Sequence, residues 1–356
     1  MIKSIISKIK NKKRSENSLE DINRNLNYDV SYRYAENLDI LKIKNIDFKN
    51  VDSKNFVDMP DSSPRVKLDI PKVGVTQRPH YIKIADQFKD SVVNLNTFIK
   101  IFMPLNANKR GLHMPRIERI LYSAQQKQYS SLPEYTEEII KPLIEEQNVT
   151  RGEIHLKCLY EKETDKNQSG RKGHEILYLY SKTNIKDNKL NTFVGLGVYF
   201  MNACPCPQRW AIRNFYYKLK EKGYQDDQIY EIIKDVPLES HTNRGIVNLF
   251  VEDKKIYYKT LYQILDSSVT IVRELLSGKD EHLFIREAHE KELFCEDVVR
   301  EVAFNVVKYL NKEIDDDKKI VINTEVDESI HFHNLYAEIS STFGKLKNSF
   351  HKYENF

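Results

Sequence analysis

The run Val92-Val93-Asn94-Leu95-Asn96-Thr97-Phe98-Ile99-Lys100-Ile101-Phe102-Met103 alternates its apolar and polar side chains. Val93, Leu95, Thr97, Ile99, Ile101 and Met103 share one face at period two, which predicts a long, half-buried strand. The period then changes. Met114, Ile117, Ile120, Leu121 and Ala124 follow helical spacing, and a second helix is expected over residues 132–146, with Ile139, Ile140, Leu143 and Ile144 apolar. Strand-like segments follow at 153–160 and 174–183, separated by a polar loop.

The second half repeats this order. Residues 193–201 and 245–251 read as strands, 256–276 and 296–310 as amphipathic helices, and 319–326 and 330–339 as closing strands. Strand-strand-helix-helix-strand-strand, twice, describes an α+β chain whose antiparallel sheets carry helices on one face. The modules are placed at 66–188 and 189–345, after a polar, basic extension (1–65) and before a short tail (346–356). The link from Phe200 to Gly245 is long and carries a helical stretch at 209–233. Long insertions in compact domains are often functional.

The 356 residues suit two domains, and 40% hydrophobic with 30% charged residues describes a globular chain, not a disordered one. No apolar run approaches the roughly 20 residues that span a bilayer, and residues 1–14 lack the apolar core of a secretory signal, so a cytoplasmic protein is expected. A net charge of +4 suits an anionic metabolite as well as RNA and selects neither. Four cysteines in so long a chain do not make a disulfide framework.

Several residues could do chemistry. Cys204-Pro205-Cys206 ends a predicted strand, where a thiolate can ligate a metal, although the spacing is not that of a zinc ribbon. Cys158 and Cys295 read as packing residues. His331 and His333 share one face of a predicted strand; the pair could shuttle protons, bind a metal or be a surface pair. Glu328 precedes them, His241 stands where the long insertion re-enters a strand, and Glu281 lies between two predicted helices. Lys109-Arg110-Gly111-Leu112-His113-Met114-Pro115-Arg116 gathers cations at a helix start, a fair phosphate site.

In this order, Gly111-Leu112-His113-Met114-Pro115-Arg116, Ala203-Cys204-Pro205-Cys206, His241-Thr242-Asn243-Arg244 and Glu328-Ser329-Ile330-His331-Phe332-His333 resemble successive motifs of the type IB GTP cyclohydrolases. The resemblance covers about residues 67–339 and implies a bimodular tunnelling fold. It implies a divalent metal (Zn, Mn or Fe(II)) on Cys204, His241 and Glu281, with Cys206 beside it and Glu296 as a further acid nearby. Glu328 would anchor the guanine edge, and His331 and His333 would transfer protons. His113 and Arg116 match the family's substrate-binding segment, and Arg244 and Lys109 are further candidates for the triphosphate.

The implied reaction opens the guanine imidazole ring of GTP at C8 and releases formate, giving 7,8-dihydroneopterin triphosphate or a cyclic phosphate. A homotetramer is expected, with no membrane and no nucleic-acid partner. Pro115 and Asn243 stand where Ser and Gln are common in the family, Pro207 follows where Ser is frequent, and Ile246 replaces a frequent histidine. The long gap from Cys206 to His241 is more similar to the archaeal cyclohydrolases of the methanopterin pathway. Two rivals follow: a divergent enzyme acting on GTP or another purine nucleotide in a specialised pathway, and a catalytically inactive nucleotide- or RNA-binding protein of the same fold.

Overall fold

The computed structural model describes residues 59–164, 170, 172–275 and 277–350. Most of the N-terminal extension and the last residues of the tail therefore lie outside the described residues. The described chain divides into two compact units. In the small one, residues 59–67 and 108–111, the Arg110 N–H donates to the carbonyls of Pro60 and Ser62, both at 3.0 Å, and Lys109 pairs with Asp61 at 3.3 Å. The large unit, 68–107 with 112–350, holds everything that follows.

Its elements are β1 (Ile70–Ala85), β2 (Val92–Leu105), α1 (Met114–Gln125), β3 (Gln128–Tyr129), α2 (Leu132–Gln147), β4 (Arg151–Glu163) and β5 (His174–Lys186). Then come β6 (Lys189–Ala203), α3 (Pro205–Glu221), α4 (Asp226–Asp235), β7 (Thr242–Val251), α5 (Tyr258–Ser268) and β8 (Thr270–Ile271). The chain closes with α6 (Gly278–Glu290), α7 (Cys295–Leu310), β9 (Lys319–Asp327), β10 (Leu335–Thr342) and α8 (Phe343–Phe350).

Both modules build one sheet, in the order β10-β9-β7-β6-β5-β4-β2-β1-β3, with β8 on β6. All pairs are antiparallel except β1 with β3. The halves join at a two-residue hairpin, Asp187-Asn188, where φ is +50° and +64°. Two positive φ values in succession match the right-handed twist of the flanking strands, and Asp and Asn tolerate them best among residues with a side chain.

The inward side chains of each strand, such as Ile99, Leu156, Leu179, Leu196, Leu249 and Ile322, are buried, as are Ile139 and Leu143 of α2, Leu261 and Leu265 of α5, and Val298, Val302 and Val306 of α7. Lysines lie over aromatic rings among the side chains of the opposite face. Lys157 sits 4.1 Å above Tyr178, and Lys182 sits 3.7 Å above Phe250. Gly195 makes room there, since a Cβ on it would come within 2.3 Å of the Phe250 ring.

This is the twice-repeated α+β arrangement of a bimodular tunnelling fold, with five local differences from the sequence expectation. The helix expected at 256–276 ends at Ser268. The β-branched run Val269-Thr270-Ile271-Val272 disfavours helix, and β8 forms there instead. Ser277 then caps a new helix, α6, its Oγ accepting from the Asp280 N–H at 3.2 Å, so Glu281 lies inside a helix and not between two. The stretch at 209–233 is two helices, separated around Gly223 at φ +91°. The closing strand expected at 330–339 begins only at Leu335, so His331 and His333 stand on a loop, held where Asn334 Nδ2 donates to Asp327 Oδ1 at 2.9 Å. Part of the expected tail is the helix α8, which buries Phe343 and Leu346.

Candidate active site

The C-terminal end of β6, the N-terminal end of β7 and the C-terminal end of β9 meet at one end of the sheet, with Asn202 opposite Asn243 and Arg244 opposite Asp327. Cys204 leaves β6 as the N-cap of α3, and its N–H donates to the His241 carbonyl at 3.1 Å. Ser240 Oγ donates to the Cys204 carbonyl at 2.5 Å. One backbone bond and one side-chain-to-backbone bond between neighbouring strand ends thus fix the first two candidate ligands side by side.

His241 Nδ1 lies 3.2 Å from Asn243 Oδ1 and 3.2 Å from Ser329 Oγ. The same Oδ1 accepts the Ser329 N–H at 3.0 Å, and Asn243 Nδ2 donates to Glu328 Oε1 at 2.7 Å. Glu328 Oε2 is buried and has no hydrogen-bond partner. A buried carboxylate oxygen without a donor is costly, so this atom marks a place where a ligand N–H would be welcome.

Burial, with the nearby Cys206 and Glu328, raises the Cys204 thiol above its ordinary pKa, against the backbone N–H of Cys206, which lowers it. Cys295, at the start of α7, is pushed up to about 11 by burial and by Glu296 and Glu328. Thiol and carboxylate groups gathered this way repel one another once ionised, and a divalent cation reverses that sign. With Nδ1 of His241 engaged, Nε2 is the nitrogen left to coordinate. Cys204 and His241 therefore fit a divalent ion. The third implied donor, Glu281, is exposed in the first turn of α6, and among the described residues no three His, Cys, Asp or Glu side chains form a group that could hold a metal ion.

Of the remaining candidates, Cys206 lies beside Cys204 and Glu296 beside Cys295, and the others stand farther off. Cys206 and Glu296 are exposed in the first turns of α3 and α7. The His331 and His333 rings stack, with centroids 5.3 Å apart and planes within 5°. Arg244 occupies the same strand end but alternates to the opposite face from Asn243. His113 and Arg116 stand at the other end of the sheet. His113 exchanges two hydrogen bonds with Gln147, each 3.0 Å, and Arg116 Nη1 donates to the Glu146 carbonyl at 2.7 Å. Along β6 the two ends lie about 45 Å apart at the usual strand rise. Lys109 belongs to the small unit.

Asn243 and Ser329 do not stand out in the sequence as site residues, although Asn243 follows His241 by two residues at the start of β7. A cavity of about 580 Å³, lined by Leu238, Glu239, His282, Arg286 and His289, adjoins the site, because His289 Nε2 lies 3.3 Å from the Ser240 carbonyl.

The chain is similar to known proteins over most of its length. A family model described as type I GTP cyclohydrolase folE2 matches residues 56–337. The GTP cyclohydrolase MptA of Methanococcus aeolicus is 33% identical over 307 residues, covering 82% of this chain and 99% of its own. MptA of Methanocaldococcus jannaschii is 30% identical over 310 residues, covering 83% and 98%. Among solved structures, uricase from Arthrobacter globiformis matches 76% of this chain and 93% of its own at 10% identity, with a TM-score of 0.45. The matched span contains the Cys204, His241, Asn243 and Glu328 cluster, and the chain is an enzyme that belongs to the type I GTP cyclohydrolase family.

Proposed function

We propose that the chain is a metal-dependent cyclohydrolase that opens the imidazole ring of GTP at C8, releases formate, and yields 7,8-dihydroneopterin triphosphate or its cyclic phosphate. The observation that carries this reading is the buried, unpartnered Oε2 of Glu328 beside Cys204 and His241. A guanine ring edge presents N–H donors to that oxygen. Cys204 and His241 would hold a divalent ion, with Glu281 as the third donor that the resemblance implies, and the ion when bound would supply the Lewis acidity that activates water.

The chain's own residues do the rest. Glu328 orients the base, and Asn243 holds Glu328. His331 or His333 passes a proton to a ring nitrogen as the C–N bond opens, a task suited to imidazoles near neutral pH. Arg244 lies at the same end of the sheet, and His113 and Arg116, a strand length away, reach such a site only from another copy of the chain. That separation supports a homo-oligomer, a tetramer by resemblance.

The test is anaerobic purification, metal analysis, and detection of formate and product with GTP. One metal per chain with stoichiometric formate is expected. Formate-free turnover, or none with metal bound, overturns the reading.

A further inference from the structure

Asn243 is 3% exposed and makes three polar contacts in the site. Its orientation is decided by a group that cannot change role. The Ser329 backbone N–H can only donate, so the Asn243 atom 3.0 Å from it is the carbonyl oxygen, and the amide nitrogen faces Glu328 Oε1 at 2.7 Å. A flipped amide would set N–H against N–H and oxygen against carboxylate. It follows that His241 Nδ1, 3.2 Å from the same oxygen, carries the ring proton and leaves the lone pair on Nε2. The donor on Glu328 Oε1 also holds that carboxylate, and leaves Oε2 buried and without a partner as its free acceptor.

We infer that Asn243 is a positioning residue that sets both the coordinating nitrogen of His241 and the acceptor face of Glu328, so that one amide couples metal retention to recognition of the purine edge. This rests on the GTP reading above. Asn243 touches neither the reacting ring nor the metal; it acts through the two residues that do.

Two variants separate its two ends. Asn243→Asp keeps acceptor oxygens for Ser329 and His241 but loses the donor to Glu328 and sets a second carboxylate against it. Asn243→Ala loses both ends. Zinc affinity is measured on metal-stripped protein by chelator competition, and KM and kcat are measured with GTP and with inosine triphosphate, which lacks the exocyclic amino group; thermal melting reports folding.

For Asn243→Asp, zinc should bind at least as tightly as to wild type, while KM for GTP rises about 10-fold or more and the preference for GTP over inosine triphosphate shrinks. For Asn243→Ala, zinc affinity should fall by about 10- to 100-fold as well, the usual effect of removing a partner that orients a ligating histidine. If both variants shift the two readouts together, or neither shifts, the positioning role is wrong. Should wild-type protein release no formate from GTP, the function reading fails by itself, and the zinc contrast between the two variants still decides whether Asn243 orients His241.

Discussion

Glu328 and Glu281 are both carboxylates in exposed-looking stretches of sequence, yet only Glu328 is drawn into a buried network. Because Asn243 Nδ2 donates to Oε1, a Glu328→Gln amide turns its carbonyl toward Asn243 and its NH₂ toward the place of Oε2. A donor then faces the N–H donors of guanine, which should cost about 2 to 4 kcal/mol, or roughly 30- to 1000-fold in kcat/KM, with metal content unchanged. Wild-type kinetics for this variant would remove guanine from the site. Cys204→Ala and His241→Ala should instead lose metal and activity together while the fold persists, since a catalytic metal contributes less to folding than a structural one; full metal retention in either would exclude that residue as a ligand. Far from this chemistry, His80 is 1% exposed, with Nδ1 3.0 Å from both Arg78 Nη1 and Gln125 Nε2. Burial and then Arg78 lower its pKa to about 4, against a smaller raising effect of Glu118. Above pH 6.5 the ring is neutral in both folded and unfolded chains. Below that the unfolded chain takes up a proton that the folded one refuses, so stability falls between about pH 6.5 and 4, by about 3 kcal/mol in all. Urea unfolding at pH 7 and pH 5 should show a shallower pH dependence for His80→Gln than for wild type, and equal slopes would refute this.

At the level of elements, what could be read from the sequence followed the regularity of the pattern. Strands β2, β4, β5, β6 and β9 and helices α1, α2 and α7 keep a clean period, and the sequence placed them. β1 does not keep one: it carries register shifts between Ile70 and Val73 and between Val75 and Arg78, and a positive φ at Gln77. The order Cys204, His241, Glu328 was legible, but not that β6, β7 and β9 end together, because strand adjacency is a long-range property. His331 and His333 were legible as a pair, but their spacing read as a strand when a loop presents them. α6 is hidden because its amphipathic stretch directly follows a run whose spacing reads as one helix up to residue 276; the capping Ser277 is its sharpest signal. Ser277→Ala removes the acceptor for the Asp280 N–H and should cost about 1 kcal/mol. It frays the turn that carries Glu281, so metal should dissociate faster from the variant than from wild type in a chelator chase. Unchanged dissociation with the expected loss in melting temperature would separate Glu281 from the metal.

The large unit exposes the two edges of one sheet, and the features there ask for a second copy. Among the described residues, β10 pairs only with β9 along one side, and most of β1 pairs only with β2, leaving rows of backbone donors and acceptors that natural sheets do not leave open without protection. The loop beside β10 carries Ile330, 60% exposed, and Phe332, fully exposed and flanked in sequence by His331 and His333, whose rings stack on each other. Apolar tips next to candidate proton-transfer groups are poorly placed for solvent, since catalysis gains from excluding water. His113 and Arg116 stand about 45 Å from Cys204 along the strands and cannot join its site within one chain. All three features are resolved if copies associate edge to edge, with the apolar tip covered and the basic segment of one chain beside the metal site of another. Light scattering at micromolar concentration should therefore show a homo-oligomer. Ile330→Ser with Phe332→Ser should shift the distribution toward smaller species on dilution and lower kcat/KM without altering the melting of the isolated chain. Arg116→Ala should lower activity, and mixing it with an inactive Cys204→Ala chain should restore part of it, because mixed oligomers contain sites in which both residues are intact. Wild-type protein that is monomeric, or a mixture with no more activity than its parts, would place His113 and Arg116 outside the active site.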